Sequence, residues 1–208
     1  MEIMKTSAGL KQSVQQTSRW SRLVVTMAAL ALGMSTALAQ TYNISTLAGQ
    51  PNSPGTLDGT GGAARFSNPQ SVAVDAAGNA YVADTNSHTI RKIVISTGVV
   101  TTVAGSAGAL GTANGTGGAG GTARFNFPQG IAVNTLGTTL YVADTFNHTI
   151  RVIDLTTTPV NVTTLAGAAG TAGSTDNATG TNARFNFPTG ISLAGANLWV
   201  ADSSNHSI

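Results

Sequence analysis

The sequence predicts an all-β fold in which four-stranded antiparallel sheets recur along the chain and stack as blades of a β-propeller. Three observations carry that prediction: a motif that returns at a fixed spacing, apolar residues alternating with period two, and turn residues between the short apolar runs. Tyr81-Val-Ala-Asp84-Thr-Asn-Ser-His88-Thr-Ile-Arg91 returns at Tyr141 to Arg151 and at Trp199 to Ile208, with Asp84, Asp144 and Asp202 separated by 60 and 58 residues. Two more signatures recur in the same order. Ala64-Arg65-Phe66, Ala123-Arg124-Phe125 and Ala183-Arg184-Phe185 precede Pro69, Pro128 and Pro188, and Thr46 to Gly49, Thr102 to Gly105 and Thr164 to Gly167 share a Thr-Leu/Val-Ala-Gly pattern. Repeats of this kind mean one supersecondary unit used several times.

In chain order, residues 1 to 39 come first and read as a secretory signal peptide. Lys5, Lys11, Arg19 and Arg22 form a basic stretch, Leu23 to Met34 an apolar one, and Ala37-Leu38-Ala39 a small-residue cleavage site that leaves Gln40 first. The apolar run of twelve residues is well short of the roughly 20 needed to span a bilayer. Secretion or export to the periplasm is therefore expected, with no membrane insertion after cleavage.

Residues 41–49 then read as the last strand of a blade whose earlier strands are missing. Blade one is expected over 64–105. Ser71 to Asp75 and Ala80 to Asp84 bracket the turn Ala77-Gly78-Asn79, and Thr89 to Ile95 and Val99 to Ala104 flank Ser96-Thr97-Gly98. These stretches are too short and too rich in β-branched residues for helices. Blade two is expected over 123–167 and part of a third over 183–208. About 2.5 blades are thus expected, with Gly-rich connections such as Gly105 to Thr122 between them. The unequal ends suggest a fragment of a larger ring or an incomplete gene model.

One four-stranded sheet cannot cover both its faces, so it must stack on copies of itself. A β-solenoid would have shorter coils, and a string of sandwiches would not repeat every sixty or so residues; radial stacking fits.

Setting the signal aside changes the charge. Six basic residues remain against seven aspartates, a net charge of −1, which gives no basic field for nucleic acid or an anionic membrane. The chain has no cysteine, so stability comes from packing rather than disulfides.

The Tyr-Val-Ala-Asp-Thr-Xaa-Asn-His-Thr-Ile-Arg run, preceded by Ala-Arg-Phe-Xaa-Xaa-Pro and followed by Thr-Leu-Ala-Gly, resembles the NHL repeat of bacterial extracellular propellers. Ser87 departs from the Asn at Asn147 and Asn205, and Thr89, Thr149 and Ser207 stand where many members have Leu or Arg. The resemblance implies a ring of about six blades.

Among polar residues, the pairs Asp84/His88, Asp144/His148 and Asp202/His206 are the most chemically suggestive. An Asp holding a His can orient a general base or contribute to a metal site. Recurrence in every repeat favours a structural part instead, with Asp accepting backbone N–H groups at the turn and His bridging to a neighbour. Arg65, Arg124 and Arg184 are expected to be partly buried and paired with the Asp of their own repeat, since an unpaired buried charge is costly. Leu57 to Gly61, Asn114 to Gly117 and Asp176 to Gly180 vaguely resemble calcium loops, yet each offers one carboxylate at most, where calcium takes about six to eight oxygens. No cofactor, metal or catalytic residue is assigned.

The residues therefore favour a non-enzymatic binding or scaffolding propeller that presents Gly-rich loops to a protein or glycan partner. The alternative, implied by likeness to six-bladed enzymes, is a fragment of a lyase or lactone hydrolase with a central metal. Nothing in the sequence fixes an oligomeric state.

Overall fold

The computed structural model describes residues 44–208. The signal-peptide expectation and the start of the expected strand at 41–49 lie outside the described residues. All contacts below fall within the unit Thr46–Ile208.

Twelve strands form two five-stranded sheets and a hairpin. β1 (Gly59–Thr60), β2 (Pro69–Val74), β3 (Asn79–Asp84), β4 (Thr89–Val94) and β5 (Val99–Gly105) make the first sheet, in the order β1-β5-β4-β3-β2. β6 (Gly115–Thr116), β7 (Pro128–Val133), β8 (Thr139–Asp144), β9 (Thr149–Asp154) and β10 (Asn161–Ala166) repeat that order. β11 (Pro188–Ala194) and β12 (Asn197–Asp202) form the hairpin. The described chain is all-β, and the sheets stand as successive blades of a β-propeller.

The turns follow from side chains that hold their own backbone. Asp75 Oδ1 accepts the N–H of Ala77 at 3.0 Å and of Asn79 at 2.9 Å, which closes the β2–β3 turn. Asn134 Oδ1 does the same for Thr138 at 2.8 Å and Thr139 at 3.1 Å between β7 and β8. Gly105 and Gly167, which end the third repeated signature, have φ of +90° and +87°, and a Cβ on either would stand 2.3 Å from the carbonyl oxygen of His88 or His148. Only glycine fits.

Two features differ from the expectation. Each sheet has five strands rather than four, because Gly59–Thr60 pairs with Val99–Val100 and Gly115–Thr116 with Asn161–Val162. The Gly-Thr pairs cover groups that would otherwise lie open on an edge strand. Residues 44–48, expected to be a strand, carry no ladder pairing, although Gly49 N–H reaches the Gly61 carbonyl at 3.1 Å and Ala48 packs with Phe66 on the first sheet's core.

Alternation along the strands divides the core. Ala80, Val82, Ile93 and Val100 belong to one buried cluster on the first sheet. Tyr81, Ala83, Ile90 and Val103 belong to another, which they share with Phe125, Ile131, Leu140, Val142, Ile153 and Val162 of the second repeat. The period of two thus buries both faces of the sheet. Leu140, Val142 and Ile153 are fully buried, each contributing about 1.5–3 kcal/mol by leaving water. At the inner strands, Ile131 N–H donates to Ser71 Oγ at 3.3 Å, and a Cβ on Gly130 would sit 2.1 Å from the Thr189 carbonyl.

Candidate functional site

The repeated polar residues gather at the end of each sheet where β3, β8 and β12 run into single 3₁₀ turns at Thr85–Ser87, Thr145–Asn147 and Ser203–Asn205. Asp84, Asp144 and Asp202 accept the N–H groups of Ser67 at 2.6 Å, Asn126 at 2.7 Å and Asn186 at 2.7 Å. Their second oxygens take other donors. Arg91 reaches Asp84 at 3.0 Å and Arg151 reaches Asp144 at 2.8 Å, while Asn147 and Asn205 bind Asp144 and Asp202 at 2.8 Å and 2.6 Å. Burial raises the pKa of Asp84, and it pushes Asp144 up to about 6 against the pull of Arg151 and its hydrogen bonds.

The arginine pairing therefore differs from the sequence expectation. Arg65, Arg124 and Arg184 do not reach the aspartates; they fold back onto carbonyls, Arg65 onto Gly62 and Ala64, Arg124 onto Gly121 and Ala123, and Arg184 onto Thr181 and Ala183. Arg65 also binds the Gln50 side chain. The reason is register. Thr89 stands opposite Asp84 across the β3–β4 ladder, so Arg91, two residues on, projects on the same face within reach. Arg91 and Arg151 are almost fully buried and lie over Phe66 and Phe125, with the guanidinium carbon 5.1 and 5.3 Å from the ring centroids. They also bind the carbonyls of Arg65 and Arg124, each at 3.0 Å.

Asp58, from the loop compared above with calcium sites, spends its oxygens on Arg91 at 2.6 Å and on the backbone and hydroxyl of Thr102, both at 3.1 Å. Asn114 repeats this part for Arg151 at 2.8 Å and Thr164 at 3.1 Å.

The histidines act across sheets. His88 Nδ1 accepts the Phe127 N–H and His148 Nδ1 the Phe187 N–H, both at 3.1 Å. Beside them Thr85 Oγ1 donates to the Pro128 carbonyl at 2.7 Å and Thr145 Oγ1 to that of Pro188 at 2.8 Å. His88, His148 and His206 all have φ of 57°, the left-handed value at the end of each turn. An imidazole that accepts at Nδ1 carries its proton on Nε2, and burial lowers the pKa of both His88 and His148.

A separate cavity of about 440 Å³ opens between the first and second sheets, at the opposite ends of the strands. Tyr81 stands across from Lys92, and Lys92 from Thr101, so these three line one row of the first sheet. Asn79, Leu136 and Val160 add to the wall. Asp75 Oδ2 accepts Asn79 Nδ2 at 2.8 Å and the Tyr81 hydroxyl at 3.2 Å. Burial works to raise the Asp75 pKa, but the combined hydrogen bonds outweigh it and hold the carboxyl below its usual value. Burial and the neighbouring Asp75 charge push Tyr81 up to about 12.

In the second repeat the same ladder positions hold Tyr141, Val152 and Thr163, with Asn134 at the turn. Lys92 is thus a cation where the next repeat has a valine. The sequence shows Tyr81 only as the start of the repeat motif and gives Lys92 no site role, because residues from three strands meet only through ladder register; the break in the repeat at Lys92 was the available signal.

Comparison with known proteins identifies the repeat. The NHL repeat family model matches residues 66–93 and 125–153. NHL repeat-containing protein 2 of Bos taurus is 34% identical over 133 residues, covering 62% of this chain and 18% of that protein. The chain therefore spans about a fifth of that curated relative's length. An auxiliary nutrient binding protein from Bacteroides thetaiotaomicron aligns with a TM-score of 0.53 at 26% identity, covering 63% of this chain and 34% of that one. A second auxiliary nutrient binding protein, from Bacteroides ovatus, aligns with a TM-score of 0.57 at 23% identity over 71% of this chain and 38% of that one, a likeness of fold. No helix among the described residues is long and apolar enough to cross a membrane. With the repeat matched in both sheets and its Asp, His and Arg residues at equivalent places in each, these two sheets are NHL repeats.

Proposed function

We propose that this chain is an exported binding propeller that takes a sugar-type nutrient in the cavity between its first two sheets. The single observation that carries the reading is the division of its polar groups. Those that repeat, Asp84 and Asp144 with Arg91 and Arg151, and His88 and His148, are occupied within or between sheets. Those that break the repeat, led by Lys92, line the cavity. A cavity of that size suits a small molecule, and its walls combine hydroxyl and amide groups with the apolar surface of Leu136, Leu155 and Val160. The nutrient-binding title of the Bacteroides thetaiotaomicron neighbour and the signal-like residues 1 to 39 support the same reading.

The test is a melting-temperature screen of the whole exported protein against neutral and acidic monosaccharides and short oligosaccharides. Mass spectrometry first checks that the exported chain starts at Gln40. Binding in the cavity predicts at least one stabilising sugar whose effect disappears in Thr101→Trp, which puts a large ring at an exposed position on the wall. A sugar that stabilises Thr101→Trp as well as the parent places binding elsewhere, and no stabilising sugar removes the proposal.

A further inference from the structure

Resting on that reading of the cavity, we propose that its ligand is an acidic sugar, a pyranose bearing a carboxylate that Lys92 receives. Every other cation among the described residues is already engaged. Arg91 and Arg151 hold carboxylates, and Arg65, Arg124 and Arg184 hold carbonyls. Lys92 alone among them makes no hydrogen bond or ion pair to a described residue. It is half-buried on the face that packs toward the second sheet, where an ammonium without a counter-charge is disfavoured. The equivalent Val152 shows that the blade does not need a cation there.

The charge of the site selects the anion. One ammonium matches the single charge of a carboxylate, whereas a phosphate, with a charge of about −1.5 to −2, is held by clustered cations or a nest of backbone N–H groups. Neither Asp75, in the cavity wall, nor Asp154, next to the lining residue Leu155, forms an ion pair with Lys92. Asp75 is saturated by four donors, and Asp154 accepts the backbone and hydroxyl of Thr156.

The rest of the wall suits a sugar ring. Tyr81 donates its proton to Asp75, so its oxygen faces a ligand hydroxyl as an acceptor. Asn79 uses one side-chain N–H on Asp75 and keeps its carbonyl and second N–H for the ligand. Leu136, Leu155 and Val160 offer apolar surface to the C–H face of a pyranose.

The experiment is calorimetric titration of the whole chain with glucuronate, galacturonate, glucose and inorganic phosphate, repeated on Lys92→Val and Lys92→Gln. Val is the residue of the second repeat, and Gln keeps a polar stem, so folding of both is checked by melting temperature. The proposal expects a uronate to bind the parent at least tenfold more tightly than glucose or phosphate, and both variants to lose that preference. If glucose binds parent and variants equally and Thr101→Trp abolishes it, the cavity reading stands and the carboxylate falls. If phosphate binds best, the carboxylate falls as well. If none of the four binds, the acidic sugar is excluded, and the broader screen above decides the cavity reading by itself.

Discussion

His88 and Phe127 join consecutive sheets through one hydrogen bond, in which the imidazole Nδ1 accepts the Phe127 backbone N–H at 3.1 Å across 39 residues of chain. The two rings also meet edge to face, with centroids 4.5 Å apart. His148 and Phe187 repeat both contacts at 3.1 Å and 4.6 Å. Phe127 and Phe187 have φ of 48° and 52° just before a proline, a conformation disfavoured for a bulky residue. The bond to the histidine of the preceding repeat, with the stack beside it, helps hold them there.

This bond gives stability a pH dependence. Burial lowers the pKa of His88 and His148, while the charge of Asp202 works the other way on His148. The folded state resists a proton that the unfolded chain accepts near pH 6.5, so the histidine contribution is complete above about 6.5 and declines as pH falls. Asp144 runs in the opposite sense: its folded pKa is raised to about 6, so its contribution is greatest below the unfolded value and is lost as pH rises through about 6. His88→Phe keeps a ring beside Phe127 but removes the acceptor. It should cost about 1–3 kcal/mol near neutral pH, and denaturant melts should show the gap from the parent closing as pH falls below about 6.5. A gap independent of pH would mean that the stacking, rather than the bond, joins the sheets.

The aspartates should differ in weight. Asp144→Ala strips Arg151 of its buried partner, leaves the Asn126 N–H without its acceptor, and takes from the Asn147 amide one of its two acceptors, the Gly111 carbonyl remaining. Breaking a buried ion pair from one side costs about 3–5 kcal/mol. Asp202 carries the same bonds to Asn186 and Asn205 but no arginine among the described residues, so Asp202→Ala should cost about 1–3 kcal/mol. Equal losses in urea melts would count against the pairing as the source of the difference.

Gly105→Ala tests the third signature. The new Cβ would meet the His88 carbonyl at 2.3 Å in a backbone with φ of +90°. Strain of that sort alone costs about 1–3 kcal/mol, and the clash adds to it. The melting temperature should fall sharply, whereas Gly78→Ala, with nothing within 4 Å of its Cβ, bears only the cost of its positive φ. Similar losses for the two would show that the close approach to His88 does not matter.

Adding a chelator should leave the melting temperature unchanged. Asp58, the carboxylate of the first calcium-like loop, is committed to Arg91 and Thr102, so a metal there would have to displace a salt bridge. A drop restored by calcium would show that this loop rearranges around the ion.

Much of the fold was legible because the local signals agree. Alternation marked β2 to β5, the repeat carried the same pattern to 123–167, and the turn expected at Ala77-Gly78-Asn79 is closed by the Asp75 side chain, as its counterpart is by Asn134. The short strands at Gly59–Thr60 and Gly115–Thr116 were hidden because two-residue strands have no period to read. The arginine partners were misassigned because Arg65 and Arg124 precede the motif in sequence, while the ladder brings Arg91 and Arg151 to the aspartates instead. The candidate site was hidden for a related reason: Tyr81, Lys92 and Thr101 become neighbours only through the pairing of three strands.

Buried repeated polar groups hold the sheets, and in our proposal the cavity wall, led by Lys92 where the next repeat has Val152, binds the ligand. Amide chemical-shift mapping during a titration with glucuronate tests it most directly. Shifts are expected at Asn79, Lys92, Thr101, Leu136 and Val160, with the amides of Ser67, Asn126 and Asn186 unmoved on their aspartates. Shifts centred on Ser67, Asn126, Phe127 and Asn186, with the cavity residues silent, would contradict it.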